Sequence, residues 1–124
     1  MSHQGKTQIT FVFTVGPDQV DEGDRIWASH AKWMEQTHHR DGELALLVYN
    51  VAKGPELSNP LDPSSEPTAN TCFVLSEVYE TPAGLADHWE QAAEGFEDFN
   101  AFVEWASNAD VAVLHGSPVV HSLW

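Results

Sequence analysis

Between Cys72 and Trp89 the chain reads Cys-Phe-Val-Leu-Ser-Glu-Val-Tyr-Glu-Thr-Pro-Ala-Gly-Leu-Ala-Asp-His-Trp, and no other stretch restricts the fold as much. Up to Tyr79 it has the apolar, β-branched and aromatic character of a strand. Thr81-Pro82 then opens a helix, because proline in the first turn lacks only an N–H that would go unbonded there anyway. The strand ends on Glu77-x-Tyr79, and the helix carries His88 and Trp89 about two turns in. Polar groups from a strand end and from the helix that follows can converge on one pocket.

The flanking segments supply the other layers. Gln8 to Val15 alternates Ile9, Phe11, Phe13 and Val15 with polar residues, the period of two that marks a strand. Asp21 to about His38 follows as a helix, with Asp21 or Asp24 able to cap it. Trp27, Ala31, Met34 and His38 fall on one stripe, and Ile26, His30 and Trp33 on the next, a wide apolar face with His30 set into it. Glu43 to Ala52 reads as a second strand, apolar on both faces and therefore expected to be covered on both. From Leu85 through Trp89, Ala92, Phe96, Phe99 and Val103 to Ala106 apolar residues recur at helical steps, with Gly95 a point where the helix can split. Asp110 to His115 is a fourth strand, broken by Gly116-Ser117-Pro118, and Val119 to Trp124 a short strand or arm.

Residues 53–70 carry four prolines and Gly54 among Ser, Asn and Asp, which predicts a loop of some 18 residues. That exceeds most connections in compact domains and leaves a lid, a dimer arm or a tolerated insertion as its possible roles.

The 124 residues fit one domain, 1–124. A formal charge of −14 disfavours nucleic acid and anionic membrane as partners, since both recruit clustered cations. The single cysteine, Cys72, excludes an internal disulfide and suits a reducing compartment. With no signal-peptide pattern at the N-terminus and no apolar run long enough to span a bilayer, the expected location is the cytoplasm.

The order β-α-β-β-α-β is the split βαβ, or ferredoxin-like, pattern of an α+β domain. It gives a four-stranded antiparallel sheet with helices on one face. The other face is left bare, and a second strand apolar on both sides predicts that it packs against another sheet. On this order, and on Phe73-Val-Leu-Ser-Glu-Val-Tyr-Glu with Leu85-x-x-His88, the chain resembles the antibiotic-biosynthesis-monooxygenase-like family of dimeric α+β barrel proteins. The resemblance implies a homodimer formed through the open sheet face, with a pocket between sheet and helices in each subunit. It also implies a cofactor-independent monooxygenase-like oxidoreductase acting on a small aromatic, quinol-type compound. A non-catalytic dimeric small-molecule-binding or accessory protein of the same fold is the alternative.

In the enzymatic reading His88 takes a phenolic proton and Glu77 orients it, an imidazole being the side chain suited to that task near neutral pH. Tyr79 holds the substrate oxygen, and Tyr49, Asn50, Trp27, Trp89 and His30 complete the substrate-binding set. The resemblance implies that no cofactor is needed, and dinucleotide, P-loop and serine-triad signatures are absent. No metal is expected either, since the seven histidines lack H-x-x-x-H or HExxH spacing and His38-His39 diverge on a helix.

Overall fold

The computed structural model describes residues 2–124. Strand β1 (Thr7–Val15) leads through a 3₁₀ turn (Pro17–Gln19) into helix α1 (Val20–Thr37). A hairpin of β2 (Leu46–Leu57) and β3 (Pro67–Tyr79) follows, then α2 (Pro82–Gly95), α3 (Phe99–Ser107) and β4 (Asp110–Pro118). The sheet order is β2-β3-β1-β4 and every neighbouring pair is antiparallel. This is the ferredoxin-like α+β arrangement, with the second helix divided at Gly95.

Local chemistry explains most of the boundaries. Thr81 caps α2 by accepting from the Gly84 N–H at 3.3 Å, and its own hydroxyl donates to the Glu43 carbonyl at 2.6 Å. At the start of α1 neither Asp21 nor Asp24 caps; the 3₁₀ turn feeds the helix directly, and Asp24 instead pairs with Lys53 at 2.9 Å. Gly116 has φ +79° and is the extra residue between Ser117 and His115, which pair with Gln8 and Ile9. Only glycine adopts that left-handed backbone freely, so the expected break is a bulge and β4 runs on to Pro118.

The largest departure from the sequence reading is at residues 53–70. They form no long loop: β2 continues to Leu57, β3 begins at Pro67, and only 58–66 lie outside the ladder. Pro55 and Pro67 are tolerated because β2 is an edge strand, because the pairing shifts register between Pro55 and Leu57, and because Pro67 is the first residue of its strand.

One face of the sheet carries the core. Phe13, Val15, Ile26, Trp27, Phe73, Leu75 and Trp105 form one cluster, and Ile9, Tyr79 and Leu85 a second. The turn between α2 and α3 resets the helical phase, so Val103, expected on the buried stripe, is 48% exposed and Trp105 is buried in its place. Among the described residues, no element covers the middle of the opposite face. Its middle row runs Ala52, Val74, Val12, Ala112 across the four strands, flanked by Asn50, Ser76, Thr10 and Leu114. The segment 119–124 is an arm tied back to the N-terminus, with the Gly5 N–H donating to the Val119 carbonyl and the Val119 N–H to the Lys6 carbonyl.

Candidate functional site

Between the two core clusters, a cavity opens under the helices. Its lining is apolar (Ile9, Phe11, Leu75, Phe96 and Phe102 among others) except for His30 from α1, Glu77 from β3 and His88 from α2. Alternation along β3 aims Phe73, Leu75, Glu77 and Tyr79 at the helices. The helical pitch of α1 and α2 brings His30 and His88 over Glu77. All three are buried, and one donor atom from each lies within 4.8 Å of the others. The cavity has a volume of about 20 Å³, room for about one water-sized guest. A ring therefore enters only if half-buried lining side chains such as Trp89, Phe99 and Phe102 move.

Each polar residue has a partner behind it. Tyr79 donates its hydroxyl to Glu77 Oε1 at 2.5 Å. His30 Nδ1 meets the Tyr49 hydroxyl at 2.7 Å, and His88 Nδ1 meets His38 Nε2 at 2.8 Å. Burial dominates the ionisation of the group. It pushes Glu77 up to about 7, against the lowering effect of the Tyr79 hydrogen bond. It pulls His30 and His38 down to about 4 and His88 down to about 3, the neighbouring histidines adding to the effect on His88. Tyr49 and Tyr79 are raised above the usual phenol range for the same reason. The imidazoles are thus neutral near pH 7, and a neutral imidazole has one N–H and one bare nitrogen.

Hydrogen-bond direction decides which nitrogen of His88 is bare. The Thr37 hydroxyl donates to the Trp33 carbonyl at 2.7 Å, so its oxygen accepts from His38 Nδ1–H at 2.9 Å. His38 Nε2 is then an acceptor, and His88 Nδ1–H donates to it. His88 Nε2 is left with a free lone pair. Nitrogen-15 NMR is expected to report His88 as the Nδ1–H tautomer; an Nε2–H signal would refute the relay.

Other polar atoms have no partner at all. Glu77 Oε2 and the indole N–H groups of Trp27 and Trp89, all from residues lining the cavity, are buried without a hydrogen bond. A buried polar atom left unbonded costs about 1–3 kcal/mol, and three of them belong to residues around this one cavity.

The structure gathers His88, Glu77, His30, Trp27 and Trp89 at this cavity and sets Tyr49 and Tyr79 directly behind it. Three roles change. The hydroxyl of Tyr79 is committed to Glu77, so it holds the carboxylate and not a substrate oxygen. His88 is oriented by His38 and not by Glu77. Asn50 lies on the open face of the sheet opposite Ser76, away from the cavity, because strand alternation turns it opposite to Tyr49. His38 was not among the expected site residues. It is the C-cap of α1, with an extended backbone (φ −89°, ψ 147°), so helical projection does not describe where its ring goes. No metal-ligand spacing announced the three-residue cluster, since its members come from three elements far apart in sequence.

Among solved structures, the chain is similar to a dimeric ferredoxin-like protein from an uncultured marine organism. The identity is 14%, the TM-score 0.56, and the match covers 95% of this chain and 99% of that one. The likeness supports the ferredoxin-like fold. No family model and no curated protein matches the sequence. No helix among the described residues is long and apolar enough to cross a membrane.

Proposed function

We propose that this protein is a homodimeric, cytoplasmic oxidoreductase of the monooxygenase kind, acting on a compact hydroxylated aromatic molecule in a closed pocket of each protomer. The observation that carries the reading is the cavity itself: an aromatic-lined space whose polar groups, a bare imidazole nitrogen and a bare carboxylate oxygen among them, are unspent. The resemblance of the β3–α2 segment to the antibiotic-biosynthesis-monooxygenase-like proteins supports it. So does the likeness to a dimeric ferredoxin-like protein, together with the charge-free middle of the open sheet face.

A substrate hydroxyl placed at the cavity floor would give its proton to His88 Nε2, with Glu77 Oε2 as the second acceptor. Dioxygen partitions into such apolar space, and the electron-rich anion meets it without water. For a ring methylene the products balance without an outside reductant: the carbon becomes a carbonyl, one oxygen atom is retained and the other leaves as water. The indole N–H groups of Trp27 and Trp89 are the donors available to an oxygen-bearing guest.

Oxygen uptake by flavin-free, metal-stripped protein over a panel of quinols, anthrones and phenols tests the reading. Uptake above the buffer rate is expected, falling about 100-fold or more in His88→Ala, the scale of a lost acid–base group. Uptake unchanged in that variant would remove His88 from the chemistry. No uptake with any compound would leave the non-catalytic binding reading.

A further inference from the structure

We propose that His30, Glu77 and His88 form a binding site for one divalent first-row transition-metal ion. The inference stands on the geometry of the cluster and not on the oxygenase reading.

Three observations converge. The residue types are two imidazoles and one carboxylate, on three separate elements, with one donor atom from each within 4.8 Å of the others. Two histidines and a carboxylate on one side of an ion leave further positions open, the arrangement found in non-haem iron(II) and in catalytic zinc sites. Glu77 is 1% exposed and lines the cavity, and its Oε2 has no partner. Finally, each donor is held from behind, as metal ligands generally are. His38 accepts from His88 Nδ1–H, which fixes the Nε2 lone pair; Tyr49 faces His30 Nδ1, and its oxygen can accept that N–H in the same way; Tyr79 holds Glu77 Oε1.

Size agrees. With metal–ligand bonds of about 2.0–2.2 Å the donor atoms stand about 3–3.4 Å apart. From separations within 4.8 Å, the donor atoms need to draw together by at most about 1.8 Å. The space at the cavity centre fits an ion with a water better than it fits a ring. Imidazole ligands select against magnesium and calcium, which take oxygen donors. An ion bound here would supply Lewis acidity and open coordination positions facing an apolar cavity. It would take up the lone pair that otherwise receives a substrate proton, so the two readings separate in experiment.

The probe is cobalt(II) chloride, added to untagged, chelator-stripped protein and followed by visible absorption and calorimetry. One ion per protomer and a d–d band are expected. Glu77→Gln, nearly isosteric, should weaken binding more than about 100-fold. Tyr49→Phe should weaken it about 10–100-fold, the usual effect of losing a group that orients a ligand. His121→Gln, far along the C-terminal arm, should change nothing. Because a ligand variant can fail to fold, wild-type thermal melts supply a second readout: at 100 times Kd, Tm should rise by about 10 °C. Absence of stoichiometric cobalt binding, or binding equal in wild type and Glu77→Gln, overturns the proposal. Oxygen uptake by the stripped enzyme without cobalt binding would sink the ion site and keep the oxygenase. Cobalt binding with no oxygen chemistry would do the reverse.

Discussion

Replacing Trp105 with alanine is expected to lower the stability of the folded protein by about 3–5 kcal/mol, the cost of truncating a buried aromatic to a cavity. Trp105 is 2% exposed and stands where α1, α3 and the sheet meet. Its ring is 5.2 Å from Phe13 and 5.4 Å from Phe73, and 6.1 Å from Trp27. Its indole N–H donates to the Gln19 carbonyl at 2.9 Å, pinning the turn before α1. At Gly23 an added Cβ would stand 2.8 Å from the ring, so α1 is packed directly against it. Against a typical stability of about 5–15 kcal/mol this is a large fraction. The urea midpoint should fall by roughly 2–3 M, compared at one protomer concentration because a dimer's stability depends on it. Val103→Ala, on the exposed side of α3, should stay within about 0.5 kcal/mol. Equal losses in the two variants would mean that α3 does not present the face described.

That pair of variants also marks how much the sequence disclosed. The alternation of Ile9, Phe11, Phe13 and Val15 and the Thr81-Pro82 start were sufficient for β1 and α2, because side-chain period and caps are local properties. Gly95 as a break was equally legible. What the break does to the phase was not. Three residues outside helical geometry rotate the next helix by an amount the sequence does not state, which moved burial from Val103 to Trp105. Residues 53–70 failed for a related reason: proline penalises a strand only where its missing N–H is needed, and being at an edge is a tertiary fact.

At the site the same division holds. Glu77 and His88 stood out because a strand and its following helix are neighbours in space as well as in sequence. His30, Tyr49 and His38 join them only through the packing of α1 against the hairpin. Metal-ligand motifs of the H-x-x-x-H kind detect ligands on one helix, and a cluster assembled from α1, β3 and α2 leaves no such spacing. The fixed tautomer of His88 is further removed still, since it depends on where the Thr37 hydroxyl sends its proton.

Val74→Asp is expected to abolish the proposed dimer, weakening association by more than about 1000-fold, equivalent to about 4 kcal/mol. Val74 lies on the open face of the sheet in the row Ala52, Val74, Val12, Ala112. Among the described residues on that face, the charged ones within the four strands are Glu56, near the end of β2, and Asp110, at the end of β4, so the middle is free of charge although the chain carries 19 acidic residues. A surface kept clear of charge in so acidic a chain is suited to self-association, where repulsion between identical copies would otherwise be severe. In a two-fold interface each substitution appears twice, and near the axis the two carboxylates face one another in a space that excludes water. Light scattering at micromolar concentration should show the mass halved, with unchanged far-UV circular dichroism, because the aspartate is simply solvated once the face is free. Ala93→Asp, on the exposed side of α2, adds the same charge elsewhere and should leave the dimer intact. A wild-type protein that is monomeric under these conditions, or a Val74→Asp protein that remains dimeric, would move the interface off this face. The pocket lies on the other side of the sheet, behind β1 and β3. Cobalt binding by the monomeric variant should therefore persist, making the ion site a property of the single protomer.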